Sequence, residues 1–267
     1  MNFITLDYVD IALAATLLMI NAVLSLRLSL GLERRFLIAA LRMAVQLTLV
    51  GLVLKALFAT ATPLLTSLAA LVMIGFAGYE VMARQERRYL GWWGYGLGTS
   101  AIMTAALLVT VFGLATQVRP DPWYDPRYAI PILGMILGNT MTGVALALHA
   151  LTQSAVRDRA AIEARLALGA PWREALRLTT RDTLRTALIP IINSMSATGL
   201  VALPGMMTGQ ILSGVDPIKA VKYQLLISFL IAGDTALGAL AAVHAGVWRL
   251  CDNRHRLRLD RLAPPRD

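Results

Sequence analysis

Residues 219–248 read KAVKYQLLISFLIAGDTALGALAAVHAGVW, and between Tyr223 and Trp248 the sole charged side chain is Asp234. About 20 apolar residues in helical form cross the ~30 Å hydrocarbon core of a bilayer. This run is longer, so it is expected to tilt or to protrude at one end. A segment in lipid must satisfy its backbone hydrogen bonds internally, which leaves helix as its state. Working outward, the same signal recurs at about 7–26, 37–58, 64–83, 92–115, 129–152 and 187–211. The 267 residues are 57% hydrophobic and 15% charged, with a mean hydropathy of +0.63, whereas a soluble domain is about one-quarter charged. The expected fold is all-α, a polytopic transmembrane helix bundle of about seven spans, with 1–267 as a single transmembrane domain.

The connecting segments carry the orientation. Nineteen of the 25 Lys and Arg residues lie in one alternate set, at 27–35, 84–88, 157–185 and in the tail from Arg249. Five lie in the other set (Lys55, Arg119, Arg127, Lys219 and Lys222), and Arg42 falls inside the second run. Basic loops stay on the cytoplasmic side, so the N-terminus is expected outside and the C-terminus in the cytoplasm, as an odd number of spans requires. The 116–128 loop, TQVRPDPWYDPRY, has the prolines and aromatic residues of an external interfacial loop. The net charge of +9 follows from this loop bias. No basic soluble domain exists to carry it, which argues against a nucleic-acid partner. A single cysteine, Cys251, excludes an intrachain disulfide. The start, MNFITLDYVDIALAATLL, has no Lys or Arg before its apolar run and reads as a retained first span. The end, RLAPPRD, reads as frayed.

The longest polar stretch is VRDRAAIEARLALGAPWREALRLTTRDTLRTALIP at 156–190, within a cytoplasmic segment of about 154–186. It reads as two short helices. The first ends at Gly169, a residue suited to a left-handed helix terminus, and Pro171 opens the second, where its missing N–H is harmless. Arg173, Arg177, Arg181 and Arg185 recur at steps of four and form one basic stripe, with Trp172, Ala175, Leu176 and Leu184 as an apolar counter-face. Such a helix can also simply lie on anionic headgroups.

The phrase Glu163-Ala164-Arg165-Leu166-Ala167-Leu168-Gly169-Ala170, followed by Leu188-Ile189-Pro190, resembles the cytoplasmic coupling loop of ABC transporter permeases. In importers the Ile-Pro element comes much earlier. Together with GNTMTG at 138–143 and LVALPGMMTGQILSGVDPIKAVKYQLLISFLIAGDTALGAL at 200–240, nearly the whole chain resembles the bacterial FetB-type iron-export permease family. The plant relatives of that family are the aluminium-sensitivity membrane proteins. The resemblance implies a permease subunit in the bacterial inner membrane that is not itself an enzyme. It implies a homodimer paired with a separate ATPase, exporting metal ions such as iron, with Glu163, Ala164, Arg165, Leu168, Gly169 and Ala170 as the ATPase-coupling residues. No GxxxxGK[ST] phosphate loop is present, so ATP and Mg would be used by the partner and no cofactor bound by this chain. Two other readings are a stand-alone secondary transporter or channel built on Asp234, and an ABC exporter of an organic substrate.

Polar groups inside the runs are the candidate pathway. Asp234 lies mid-span with no basic residue within two helical turns, so it must be neutral or matched by a partner on another helix or by a passing cation. It is either a transport residue or a neutral structural hydrogen-bonding group. Asn139, Thr140, Met141 and Thr142 in the fifth run, and Asn193, Ser196, Met207, Thr208 and Gln210 in the sixth, complete the candidate set. Arg42 and Glu80 lie at similar depth in consecutive runs and are expected to form a structural ion pair. Gly94/Gly98, Gly134/Gly138 and Gly205/Gly209 have the spacing of close helix packing. Methionine suits soft ions, whereas iron prefers imidazole, carboxylate or thiolate. No HxxxH or CxxC cluster occurs, and the metal is left unassigned.

Overall fold

A computed structural model describes residues 7–60, 62–252 and 254–265. The chain divides into two compact units, one made of 1–61 with 212–214 and the other of 62–211 with 215–267. The first unit is a helical hairpin, α1 (Tyr8–Arg27) and α2 (Glu33–Thr60). Its turn is closed by Ser25, 2% exposed, whose hydroxyl donates to Glu33 Oε2 at 3.0 Å and accepts from the Leu32 N–H at 3.0 Å. The apolar side chains of both helices are otherwise largely exposed, as suits segments solvated by acyl chains.

The second unit holds α3 (Pro63–Ala83), α4 (Trp93–Phe112) extended by a π-helical turn (Gly113–Val118), α5 (Pro126–Arg157), α6 (Arg159–Ala167), α7 (Trp172–Ala175), α8 (Arg177–Ala197), most of α9 (Gly205–Leu212) and α10 (Pro217–Leu250). Aspartates start both long helices. The Asp125 carboxylate accepts from the Arg127 N–H, that of Asp216 from the N–H groups of Ile218 and Lys219, and proline follows each as the first helical residue. The two helices run parallel and very close. A Cβ on Gly143 would meet Thr235 Cγ2 at 2.6 Å, and one on Gly238 would meet Thr140 Cγ2 at 2.7 Å. Glycine is what lets these backbones approach. Of the paired glycines, Gly94 and Gly98 also sit at tight contacts, whereas a Cβ on Gly138, Gly205 or Gly209 would meet nothing within 4 Å.

The basic segments of this unit converge on one end. Tyr89 Oη donates to the Gly246 carbonyl at 3.0 Å, and Gln153 Nε2 donates to Glu86 Oε2 at 2.6 Å. The tail folds back on the same end, so the fraying expected of RLAPPRD is not seen at Leu262 and Ala263, while Arg266 and Asp267 lie outside the described residues. Leu90 N–H donates to the Arg261 carbonyl and Ala263 N–H to the Arg88 carbonyl, each at 2.8 Å, with Leu262 buried. Leu257, Leu259 and Leu262 supply the apolar side that pins it.

Among the described residues six helices are long and apolar enough to cross a membrane: α1, α2, α3, α4 with its π turn, α5 and α10. The difference from seven lies in the run at 187–211, which is not one helix. It begins earlier, within α8 at Arg177, and ends at Ala197. The chain then turns through 198–204, with Gly199 at φ +92°, before α9 begins. The first half of α8 carries Arg177, Arg181, Asp182 and Arg185, which keeps the whole helix below the hydropathy of a span. Its 21 residues nevertheless extend about 31 Å. It starts at the basic end, so it carries the chain across toward the start of α10, and the alternation of loops within this unit is kept.

Candidate coupling and translocation sites

The segment between α5 and α8 is a protruding hairpin. Ile162, 1% exposed, anchors α6 in the core. At the tip Gly169 has φ +90°, its N–H donating to the Leu166 carbonyl at 3.0 Å and the Ala170 N–H to the Arg165 carbonyl at 3.1 Å. This is the paired closure of a helix by a left-handed residue, as the sequence indicated. Glu163, Ala164, Leu168 and Gly169 are exposed. Glu163 meets Arg159 at 2.8 Å, and Leu168 is 88% exposed. Arg165 and Ala170 are half-buried. Arg165 points inward, its Nη1 donating to the Ala175 carbonyl at 3.1 Å, so it braces α6 against α7. The second expected helix is interrupted once at Leu176, and its four arginines face a groove between α8 and α10.

The candidate pathway residues fall into three groups. Thr140 and Asp234, both fully buried, meet across α5 and α10, the threonine hydroxyl donating to Asp234 Oδ2. This supplies the interhelical partner that a buried carboxyl needs. Among the described residues Asp234 Oδ1 and the hydroxyl of the neighbouring Thr235 have no hydrogen-bond partner. Thr235, 2% exposed, is absent from the sequence-derived set, although its place beside Asp234 was the available signal.

Asn139, Thr142, Asn193 and Ser196 are exposed, and Met141 is half-buried. Several of them turn their polar atoms back on their own helix. Asn139 Nδ2 donates to the Met135 carbonyl at 2.9 Å, Ser196 Oγ to the Ile192 carbonyl at 3.0 Å, and Thr142 Oγ1 to the Gly138 carbonyl at 3.2 Å. Thr142 also accepts from Arg84 Nη1 at 3.3 Å. Met207, Thr208 and Gln210 on α9 are half-buried, with Thr208 Oγ1 bonded to the Pro204 carbonyl at 3.1 Å. Glu80 lies 4.0 Å from Arg84. Arg42 belongs to α2 of the first unit. Among the described residues no three His, Cys, Asp or Glu side chains are grouped as a metal site would require.

The family model described as Uncharacterised protein family (UPF0014) matches residues 8–250. The chain is similar to UPF0014 membrane protein slr1647 of Synechocystis, 36% identical over 256 residues, which is 95% of this chain and 96% of that one. It is 32% identical over 257 residues to the "Probable iron export permease protein FetB" of Escherichia coli, covering 96% and 97% of the two chains. "Protein ALUMINUM SENSITIVE 3" of Arabidopsis thaliana is 30% identical over 237 residues, 87% and 83% of the two chains. No solved structure matches.

Proposed function

Because the chain belongs to the UPF0014 family of multi-pass membrane proteins, we propose that it is the permease subunit of an ATP-driven ABC transporter exporting metal ions such as iron. The family and a relative named as a permease support a membrane transport protein. The observation that carries the ABC reading is the hairpin tip, where Leu168 stands 88% exposed beside Glu163 on a rigidly closed helix. An apolar side chain displayed beyond the bundle and flanked by charge is the anatomy of a protein-docking surface. In this reading the basic end is cytoplasmic, and a separate ATPase binds the hairpin and supplies ATP and Mg chemistry.

The exposed amides and hydroxyls of Asn139 and Thr142 lie in apolar α5, and those of Asn193 and Ser196 in the apolar second half of α8, where polar groups facing lipid are disfavoured. A second copy of the chain enclosing an aqueous path would cover them. The path offers oxygen and thioether donors for passing contact with a cation. Co-purification with an ABC ATPase subunit tests the docking assignment. Glu163→Ala and Leu168→Asp should abolish capture while leaving the permease monodisperse. Undiminished capture by both variants would refute it. Uptake of Fe²⁺, Mn²⁺, Zn²⁺ and Cu⁺ into inverted vesicles tests the cargo, and equal ATP-dependent uptake with and without metal competition would point to an organic substrate.

A further inference from the structure

We propose that the groove between α8 and α10, at the basic end of the second unit, binds one anionic phospholipid of the adjoining leaflet. The groove encloses about 1110 Å³, larger than a small-molecule pocket. Its lining is sorted by position. Arg173 on α7 and Arg177, Arg181 and Arg185 in the first half of α8 lie at one end, whereas Leu188, Ile189 and Ile192 lie further along α8. From Arg181 to Ile192 the helix advances about 16 Å, close to half of a ~30 Å hydrocarbon core. Charge is thus placed where headgroups lie and apolar surface where an acyl chain lies.

The electrostatics favour an anion. The guanidiniums of Arg177, Arg181 and Arg185, at steps of four on α8, are neighbours on one helix face and repel one another. Among the described residues none of these four has a carboxylate within ion-pairing distance. No Asp or Glu lines the groove, and His244 is the remaining titratable group there. Arginine presents a planar fork that fits phosphate oxygens in pairs. Trp172, with Arg173 stacked 5.2 Å over its ring, and Trp248, 5.9 Å from Trp93, flank the groove. Indoles at this level anchor protein at the interface between headgroups and acyl chains. An acidic protein surface would satisfy the arginines but not the apolar wall beneath them, and a free phosphate would leave that wall in water.

The proposal rests on the reading that this end lies at a membrane surface. The test is made on the purified chain, so it does not depend on which side that is. Delipidated full-length protein is titrated, with native mass spectrometry, against palmitoyl-oleoyl phosphatidylglycerol, phosphatidylcholine with the same chains, and inorganic phosphate. The wild type should prefer phosphatidylglycerol over phosphatidylcholine by at least ten-fold, and phosphate should not displace the lipid. Each of Arg177→Gln and Arg181→Gln should weaken phosphatidylglycerol about five-fold, the equivalent of ~1 kcal/mol for one basic residue at an anionic surface, with phosphatidylcholine unchanged. Leu188→Trp, which fills the apolar slot, should weaken both lipids. Equal retention of the two lipids by the wild type overturns the proposal, as does displacement by phosphate. So does a result in which the arginine variants keep phosphatidylglycerol and lose an ATPase partner, which would assign the stripe to a protein.

Discussion

Thr140 and Asp234 make the sharpest test of whether the core of the bundle transports or merely holds together. Asp234 is fully buried, and the Thr140 hydroxyl is its one hydrogen-bond donor among the described residues. A full charge with a single hydroxyl donor is poorly compensated in an apolar interior. The carboxyl can therefore carry charge only while a second donor or a cation is present, which would make it sensitive to cargo. Thr140→Val keeps the shape and removes the donor, leaving both carboxyl oxygens unpartnered. An unsatisfied buried acceptor costs about 1–3 kcal/mol, and at roughly 2–4 °C per kcal/mol for a chain of this size melting should fall by about 5 °C. Asp234→Asn keeps an acceptor for Thr140 and the volume but removes the ionisable group. It should insert and melt within about 2 kcal/mol of wild type and lose at least ten-fold in vesicle transport. Fluorescence-detected size exclusion after heating reads the first quantity, and metal flux reads the second. If Asp234→Asn transports at the wild-type rate while Thr140→Val destabilises as expected, the pair is a structural hydrogen bond and the transport role is wrong.

Three further outcomes follow from local geometry. Gly169→Val forces a β-branched residue to φ +90° with no atom near its Cβ. The penalty is then backbone strain of about 1–2 kcal/mol, confined to the tip, and ATPase capture should fall without loss of membrane insertion. Gly238→Ala puts a methyl 2.7 Å from Thr140 Cγ2 and 3.1 Å from Val144 Cγ2, and wedging α5 from α10 should cost about 1–3 kcal/mol, read as earlier thermal aggregation. For topology, Cys251 is a poor reporter: it is 6% exposed, and burial pushes its thiol up to about 11, so it should resist maleimide at pH 8 until the protein is unfolded. Cysteines placed at Trp123 and Leu168 in a Cys251→Ala background, both sites well exposed, should label from outside and only after permeabilisation, respectively. The reverse pattern would invert the orientation.

The spans were legible because apolar length alone decides them, and α10 extends only two residues beyond each end of the run at 219–248. Gly169 was legible because a glycine closing an amphipathic stretch has a local mechanism. The break at 198–204 was hidden, since Leu200, Val201, Ala202 and Leu203 keep the run apolar through the turn. The flanking Gly199 and Pro204 were the better signal, and hydropathy outvoted them. Consecutive residues on a helix point about 100° apart, so Asn139, Thr140, Met141 and Thr142 could never share one surface. The structure sends Thr140 to α10 and leaves Asn139 and Thr142 exposed. Which of the four meets Asp234 depends on the register of two parallel helices whose paired residues are 94 positions apart, and nothing local encodes that. The ordered tail was missed for the same reason, its partners being Arg88 and Leu90 far upstream.

On the proposed function, the brace at Arg165 allows docking to be tested apart from transmission. The hairpin tip, α7 and α8 are linked in series: Arg165 ties α6 to the Ala175 carbonyl at 3.1 Å, the chain breaks only at Leu176, and α8 then extends to Ala197. Glycine contacts and the Thr140–Asp234 bond clamp α5 to α10. On the proposed function, a push at Leu168 would travel along α8, about 31 Å long and interrupted in its hydrogen bonding at Pro190, toward Asn193, Ser196 and the turn at 198–204. Rigid secondary elements of this kind are one carrier of coupling between distant sites. Arg165→Ala removes the brace without altering exposed Glu163 or Leu168, at about 1.5–3 kcal/mol for a charged hydrogen bond. The variant should still capture the ATPase, but hydrolysis and transport should come apart, with ATP turnover retained and flux reduced at least five-fold. Loss of capture would make Arg165 part of the docking surface instead. Wild-type flux would mean that force reaches the pathway by a route other than α8.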